Sequence, residues 1–319
     1  NTNVAGNNLS GSIVVSDKKI AITCTDDSVK SSVGGCYDLM GDQIVPTDVV
    51  GKDYTVSKGD LDAGGDESVF VVATANFTTI LIDDGIGAPI TQLMNQGDTY
   101  KYSITQPLTY VTSDKNVYLL HATGYGCEMG EALIPPLNCA GYERVSFTRN
   151  KPQTFFITIT CPAGAEGNFT LTTDLPNPIT IPVDPSSFDP VPGTGGAFVG
   201  DTLMFPTSEI GVNASISLSN STDFFALGVF DGGATGGVLY HYLSSFLRRV
   251  IVDAGEDITQ CSADGSVNLN GAVSGGTTTG KWNVLNGSGT LNTPTNLSTT
   301  YDPVQADYDQ GFLTFVLES

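Results

Sequence analysis

The sequence predicts an all-β protein, with tandem β-sandwich-like units followed by an immunoglobulin-like sandwich. Short runs of β-branched and aromatic residues recur along the chain, and 37 glycines and 16 prolines separate them. Such runs bounded by turn residues are typical of strands. Lys and Arg, which are usual on surface helices, number only 13 in 319 residues. We therefore expect helix to be limited to a turn or two.

The predicted strands follow one another closely from the N-terminus onward. Gly, Asn, Asp and Pro fill the intervals between them, as turns require. In chain order the strands are GSIVVS, KIAITCT, SVFVVATA, TTILIDD, KYSIT, TYVTS, NVYLLHATG, RVSFTR, TFFITITC, NFTLTTD, ITIPV, ASISLS and FFALGVF. A long series of short strands of this kind favours sandwiches or barrels.

The chain is strongly acidic, since 34 Asp and Glu against 13 Lys and Arg give a formal net charge of -21. Such a surface repels nucleic acid and anionic lipid headgroups, so we expect neither a nucleic-acid partner nor direct membrane insertion. A hydrophobic content of 40% predicts a folded chain. The balance favours an extracellular or cell-surface setting. The expected partners are surface glycans or proteins, or copies of the chain itself in a filament.

Internal repeats are visible at a spacing of roughly a hundred residues. VVSDKKIAITCTDDSV…GGCYDLMGDQIVP at 14–46 returns as VTSDKNVYLLHATGYGCEMGEALIPP at 111–136. Each copy has Ser-Asp-Lys, a strand, a Gly-Cys loop, a Gly-acid step and an apolar exit to proline. A short β-unit often cannot bury its face alone, so we expect the copies to pack into one body.

The repeats set the predicted domains. Residues 1–250 form one β region, with units at about 10–106 and 107–208 and a partial unit at 209–250. Residues 252–319 follow in a new register and contain the only tryptophan, Trp282, about twenty residues after Cys261, as in the core of an immunoglobulin-like sandwich. We expect the partner of Cys261 and the final strand to lie beyond Ser319.

Three ordered motifs carry a family resemblance: KKIAITCTDDSV…GGCYDLMGDQIVP, VYLLHATGYGCEMGEALIPP and RVSFTR. They resemble the domain named after the N-terminus of IgG-Fc-binding protein, over about residues 10–245. The tail from VDAGEDITQC onward is similar to the PKD-like repeats of SprB-type gliding-motility adhesins of Bacteroidota. Together the resemblances imply a large adhesin secreted by the type IX route. The family name implies antibody binding only for mucus proteins of animals, so that activity is not carried over.

Four of the six cysteines form two pairs with the same spacing. Cys24 with Cys36, and Cys127 with Cys139, predict two local disulfides in an oxidising compartment. The alternative is a set of reduced, buried cysteines. A thiol nucleophile at Cys127 is disfavoured, because His121 lies roughly 20 Å away along a strand and the first copy has no histidine. Zinc is disfavoured because the chain has only two histidines.

KGDLDAGGDES at 58–68 is the candidate metal site. Its acids alternate with glycines, a spacing that lets carboxylates and carbonyls surround calcium, the one cofactor considered. The alternative is an exposed hairpin loop. The candidate ligands are Asp60, Asp62, Asp66 and Glu67.

Candidate glycosylation sites are of two kinds. Asn76 and Asn168 lie in Asn-x-Thr sequons, which mark surface loops where such sites are used. Ser28 and Thr202 follow an aspartate in a pattern that resembles the O-glycosylation acceptor of Bacteroidota.

No catalytic set can be singled out, so the predicted function is that of a non-enzymatic adhesin segment, which displays β-domains for attachment or gliding. One alternative is a structural subunit of an extracellular filament or sheath that assembles by β-strand complementation. A carbohydrate-active enzyme is the less favoured alternative, since paired carboxylates cannot be distinguished among so many acids.

Overall fold

The computed structural model describes residues 11–32, 35–64, 66–137, 141–153, 155–233, 237–243, 250–261 and 265–319. Strands hold 51% of these described residues and helices 4%, so the all-β prediction is confirmed. The chain divides into two compact units, unit 1 (Asn1–Phe246) and unit 2 (Leu247–Ser319). In the described ranges, no helix has the length and apolar character needed to cross a membrane.

Unit 1 begins with a two-stranded hairpin and continues into an eight-stranded sheet. The hairpin consists of β1 (Ile22–Val29) and β2 (Asp38–Ile44). The strands of the sheet are β3 (Gly51–Ser57), β4 (Asp60–Leu61), β5 (Ser68–Ala73), β6 (Thr78–Asp83), β7 (Ile90–Met94), β8 (Thr99–Ser103), β9 (Leu108–Gly126) and β10 (Glu128–Leu133). Their order is β7-β6-β9-β5-β8, and β3, β4 and β10 also pair with the long strand β9.

Two further sheets complete unit 1. Their strands are β11 (Arg144–Thr148), β12 (Phe155–Pro162), β13 (Phe169–Thr173), β14 (Ile179–Ile181), β15 (Asp189–Pro190), β16 (Phe198–Met204), β17 (Ser215–Asn220), β18 (Ala226–Gly232) and β19 (Val238–Leu243). One sheet has the order β11-β17-β13-β14 and the other the order β15-β16-β12-β18-β19. Single 3₁₀ turns lie at Glu166–Asn168 and Pro185–Ser187.

The three sheets form three layers, with the five-stranded sheet in the middle. Successive side chains of a strand point to opposite faces, and β12 has apolar residues at both: Phe156 packs with the eight-stranded sheet and Phe155 with the four-stranded sheet. Phe156 also stacks on Phe230 of β18 at 4.2 Å between ring centroids. Each such fully buried side chain contributes about 1.5–3 kcal/mol. The two cores therefore join the three sheets into one body.

Unit 2 is a small sandwich-like arrangement around a single core. Its elements are β20 (Val250–Asp253), β21 (Val267–Asn270), β22 (Ala272–Gly275), β23 (Lys281–Val284), β24 (Thr290–Leu291), β25 (Ser298–Asp302), α1 (Gln305–Gln310) and β26 (Phe315–Glu318). The paired strands are β20-β22, β21-β25-β24 and β23-β26. Trp282 is 2% exposed in the core with Leu269, Val273 and Leu317, and the immunoglobulin-like assignment of this unit stays a prediction.

Candidate functional site

A buried polar network lies between two layers of unit 1. Glu67 precedes β5, His121 lies in β9 and Tyr240 in β19, and these side chains are 2%, 1% and 9% exposed. His121 Nε2 is 3.0 Å from Glu67 Oε1, and His121 Nδ1 is 3.1 Å from the Tyr240 hydroxyl. The antiparallel pairing of β5 with β9 places Ser68 opposite Ala122, which brings Glu67 beside His121. The network ties the eight-stranded sheet to the middle layer.

The hydrogen bonds that described residues make to the Glu67 carboxylate converge on one oxygen, Oε1. Besides His121, the Gly59 N–H and the Thr123 hydroxyl donate to Oε1, at 2.6 and 2.8 Å. Within the described residues Oε2 accepts no hydrogen bond, and the Lys58 ammonium lies 3.7 Å from it. Burial alone raises the pKa of Glu67, but the hydrogen bond and charge of His121, with the two other donors, lower it below its ordinary value. The carboxylate is therefore held in its charged form.

The network stabilises a charged carboxylate, but its side chains have almost no contact with solvent. Its three side chains are almost completely removed from solvent, whereas a catalytic group must reach the reacting atoms. His121 is engaged on both ring nitrogens by Glu67 and Tyr240. The structure therefore uses the histidine of the HATGYGC motif as a buried tie between layers.

A second polar cluster joins the β1–β2 hairpin to the outer edge of β10. Asp38 Oδ2 accepts a hydrogen bond from the Met129 N–H at 2.8 Å, and Asp42 Oδ2 accepts one from the Leu133 N–H at 2.7 Å. β2 and β10 therefore run in the same direction. The aspartate side chains of β2 accept hydrogen bonds from backbone N–H groups of β10, as the carbonyl groups of a paired strand would. We call this contact the acid ladder. Met40 and Met129 pack in one apolar cluster with Leu61 and Ala122.

A disulfide lies at the start of the acid ladder. Cys36 comes two residues before β2, and Cys127 lies with Gly126 in the two-residue turn between β9 and β10, where Gly126 takes a φ of 62° that suits glycine. The bond joins Cys36 to Cys127 across 91 residues, with 5.6 Å between Cα atoms. The two cysteines occupy equivalent positions in the two sequence repeats.

The predicted local disulfides are therefore wrong. A cysteine forms one disulfide, so the bond between Cys36 and Cys127 excludes both Cys24–Cys36 and Cys127–Cys139. Cys24 is exposed and forms no disulfide, and Cys161 is buried and forms none. Cys139 lies outside the described residues. The physical reason is that the two repeat hairpins pack against each other, which brings the equivalent cysteines of the two repeats together.

Acidic side chains crowd around this junction. Among the described residues, Cys36 Sγ, Cys127 Sγ and a carboxylate oxygen of Glu128 form the one group of three or more metal-ligand atoms lying within 4.8 Å of one another. Glu128 is 8% exposed. Burial raises the pKa of Glu128, and the hydrogen bond and charge of Asp38 raise it further. The Glu128 carboxyl is therefore protonated more readily than an isolated acid.

Glu131 is the central acid of the ladder. Burial raises the pKa of Glu131 to about 7, and the charges of Asp42 and Asp26 contribute to the rise. Its equivalent in the first repeat is Asp42, which it faces across the ladder. Acidic side chains at equivalent positions of the two repeats therefore lie close to each other, as the cysteines do.

The structure does not bring the four predicted calcium ligands together. Asp66 forms an ion pair with Lys101 at 2.6 Å, and Glu67 points inward to His121. Asp60 lies in β4, and the backbone N–H of Asp62 donates to Gly126. Among the four candidate ligands, Asp60 and Asp62 form no ion pair with a described residue. Calcium binding at this loop stays a prediction.

The predicted glycosylation sites lie at different places in unit 1. Asn76 is exposed in the turn between β5 and β6, and Thr202 is exposed in β16. Asn168 is half-buried, and its Nδ2, the atom a glycan would need, donates to Thr222. Ser28 lies in β1, and its side chain is outside the described part of the structure. All four stay predictions.

Comparison with known proteins gives one positive finding. The family described as IgGFc binding protein matches residues 3–229, which is more than half of the chain and covers the hairpin, the acid ladder, Glu67 and His121. No curated protein and no solved structure matches the chain. The family and the disulfide both indicate an extracellular or secreted protein. The chain belongs to the IgGFc binding protein family.

Proposed function

We propose that the chain is a non-enzymatic segment of an extracellular adhesin, which presents β-sheet surfaces and loops to a protein or glycan ligand. The observation that carries the proposal is the burial of the most enzyme-like side chains: His121 and Glu67 are 1% and 2% exposed. A layered body held by a long-range disulfide suits an exposed extracellular role, because it resists unfolding and proteolysis. Family membership supports a binding function.

Display on a cell surface for attachment or gliding is the finer form of this proposal. It rests on the similarity of the C-terminal tail to PKD-like adhesin repeats. The net charge of -21 favours ligands that are neutral or basic, since like charges repel. Loops at the sheet ends, such as the exposed turn at Asn76 and Phe77, are the expected contact points.

Binding and turnover can be separated in one experiment. The full chain is immobilised and probed with the Fc fragment of immunoglobulin G and with a glycan array, and each bound probe is then examined for cleavage. We expect saturable binding without turnover, unchanged in Glu67→Gln because that side chain does not reach the surface. Hydrolysis of a probe that is lost in Glu67→Gln would overturn the proposal.

A filament subunit is the second candidate, and exposed apolar strands favour it. Val250, Ile251 and Val252 of β20 are 41%, 49% and 39% exposed, and near the N-terminus Ile13 and Val15 are 67% and 88% exposed. Extended apolar segments at a sheet edge can pair with another chain. Assembly through them would be β-strand complementation between copies.

The test of the filament candidate is self-assembly of the purified chain. Light scattering after size exclusion and electron microscopy should detect concentration-dependent, ordered polymers. Ile251→Lys places a charge on the edge strand and should abolish them, whereas Thr278→Lys, in an exposed loop, should not. A monomer at all concentrations would remove this candidate and leave the adhesin.

A further inference from the structure

We propose that reduction of the disulfide turns the start of the acid ladder into a binding site for a borderline divalent metal ion, with zinc as the expected ion. The site has two thiolates and one carboxylate as protein ligands, and they come from both repeat hairpins. The ligands are Cys36, Cys127 and Glu128, and water takes the fourth position.

The geometry supplies the ligand atoms at suitable spacing. Both sulfur atoms and a Glu128 oxygen lie within 4.8 Å of one another. Neighbouring ligand atoms of a tetrahedral zinc ion stand roughly 3.3–3.8 Å apart, given Zn–S and Zn–O distances of about 2.3 and 2.0 Å. Asp38 is hydrogen-bonded to Glu128 but lies outside this group of ligand atoms, so it supports Glu128 and does not bind the ion. On reduction the two sulfur atoms move from bonding to non-bonded separation.

The chemistry of the ligand set selects the metal. Two thiolates favour zinc over calcium or magnesium, which prefer oxygen ligands only. Glu128 is buried and lies beside Asp38, and a bound cation reduces the repulsion between two neighbouring carboxylates.

The conversion needs a reductant, and the reaction balances with a small dithiol. The dithiol transfers two electrons and two protons to the disulfide, gives two thiols and is itself oxidised to a cyclic disulfide. Zinc then binds both sulfur atoms as thiolates, which releases the two thiol protons.

The consequence for the fold is that the hairpin stays attached in both redox states. In the oxidised chain the Cys36–Cys127 bond joins the β1–β2 hairpin to the β9–β10 turn. In the reduced, metal-bound chain the ion makes the same connection. Asp38 keeps its hydrogen bond from the Met129 N–H, so the acid ladder is kept.

The experiment measures metal binding by the full chain before and after reduction. Cys24→Ser serves as the background, because Cys24 is exposed and could bind metal on its own. The chain is reduced with a small dithiol, freed of reductant without air, and titrated with Co²⁺ and then with Zn²⁺. We expect one equivalent per reduced chain, with intense visible bands of tetrahedral, thiolate-bound Co²⁺, and no such bands from the oxidised chain.

Two variants test the ligand set. Glu128→Gln keeps both thiols and should weaken zinc binding by more than the roughly tenfold loss typical of a changed outer-shell partner. Glu131→Gln, three residues along the same strand and outside the ligand group, should bind like the background. Equal binding by reduced and oxidised chains would overturn the proposal, and so would unchanged affinity in Glu128→Gln.

Discussion

A single glutamate illustrates how burial decides the role of a residue. Glu67 lies at the end of an acidic, glycine-rich loop, where it is a plausible calcium ligand, yet it is 2% exposed. An isolated charge at that depth would be very costly. His121, Thr123 and the Gly59 N–H supply compensating donors. The carboxylate is therefore part of the interior and fixes how β5 and β19 meet β9.

Replacing this carboxylate should destabilise unit 1 in a pH-dependent way. Removing one partner of a buried charged pair costs about 3 kcal/mol, so Glu67→Gln should lower the free energy of unfolding by that amount near pH 7. Because the pKa of Glu67 is lower in the folded chain than its ordinary value, its stabilisation is present above that ordinary value and is lost as the pH falls through the folded pKa. The variant and the wild type should therefore converge in acid.

Urea unfolding followed by far-ultraviolet circular dichroism, at a series of pH values, measures this difference. Glu209→Gln is the matched control, because Glu209 is exposed in the same unit, and it should leave stability unchanged. An equal loss of stability at every pH would mean that the charge of Glu67 has no role.

At the scale of elements, the acid ladder shows two related hairpins packed on each other. The Gly-Cys and Met-Gly-acid steps of both copies face one another, so Cys36 meets Cys127 and Asp42 meets Glu131. A strand edge that would otherwise present free N–H groups is covered by aspartates on β2. Covering an edge in this way protects it from pairing with other chains.

The long-range disulfide should stabilise the chain more than either local one would. The loop-closure entropy of a 91-residue separation corresponds to about 4.6 kcal/mol, against about 2.8 kcal/mol for a 12-residue loop. The variant in which both Cys36 and Cys127 are alanine should lose about 4 kcal/mol of unfolding free energy in urea. Peptide mapping without reductant should recover a linked pair containing Cys36 and Cys127. A linked Cys24–Cys36 peptide would contradict the structure.

Glu131 should make the hairpin contact less stable as the pH rises. Its pKa of about 7 in the folded chain lies above its ordinary value of 4.5, so between these values the folded chain holds a proton that the unfolded chain has released. Stability therefore falls as the pH rises through this window. Glu131→Gln imitates the protonated acid and should be more stable than the wild type at pH 8, by about 1 kcal/mol after allowance for solvent screening.

The same urea experiment at pH 4 provides the internal check on Glu131. There the wild-type side chain is protonated in both states, and the two proteins should unfold at the same urea concentration. A constant difference at both pH values would assign the effect to packing.

At the scale of the molecule, local pattern predicted the class of the fold but not its long-range partners. Alternating runs such as SVFVVA predicted strands, and Trp282 predicted a core, because both depend on side chains near in sequence. The pairing of Cys36 with Cys127, and of Glu67 with His121, depends on which strands lie side by side 91 and 54 residues apart. The Gly-Cys sequence that recurs in both repeats was the one signal for the pairing of Cys36 with Cys127, since equivalent surfaces of two repeats can pack together.

The two units should unfold as separate transitions, and the single tryptophan makes this measurable. Trp282 is the only tryptophan in the chain and is buried in the core of unit 2, so its fluorescence follows unit 2, whereas circular dichroism follows both units. Unit 2 has one small core and unit 1 has two large ones. Because small cores give marginal stability, the fluorescence midpoint in urea should come first. Replacing Cys36 and Cys127 with alanine should then move the later transition and leave the fluorescence midpoint unchanged, whereas a shared shift would show that the units unfold together.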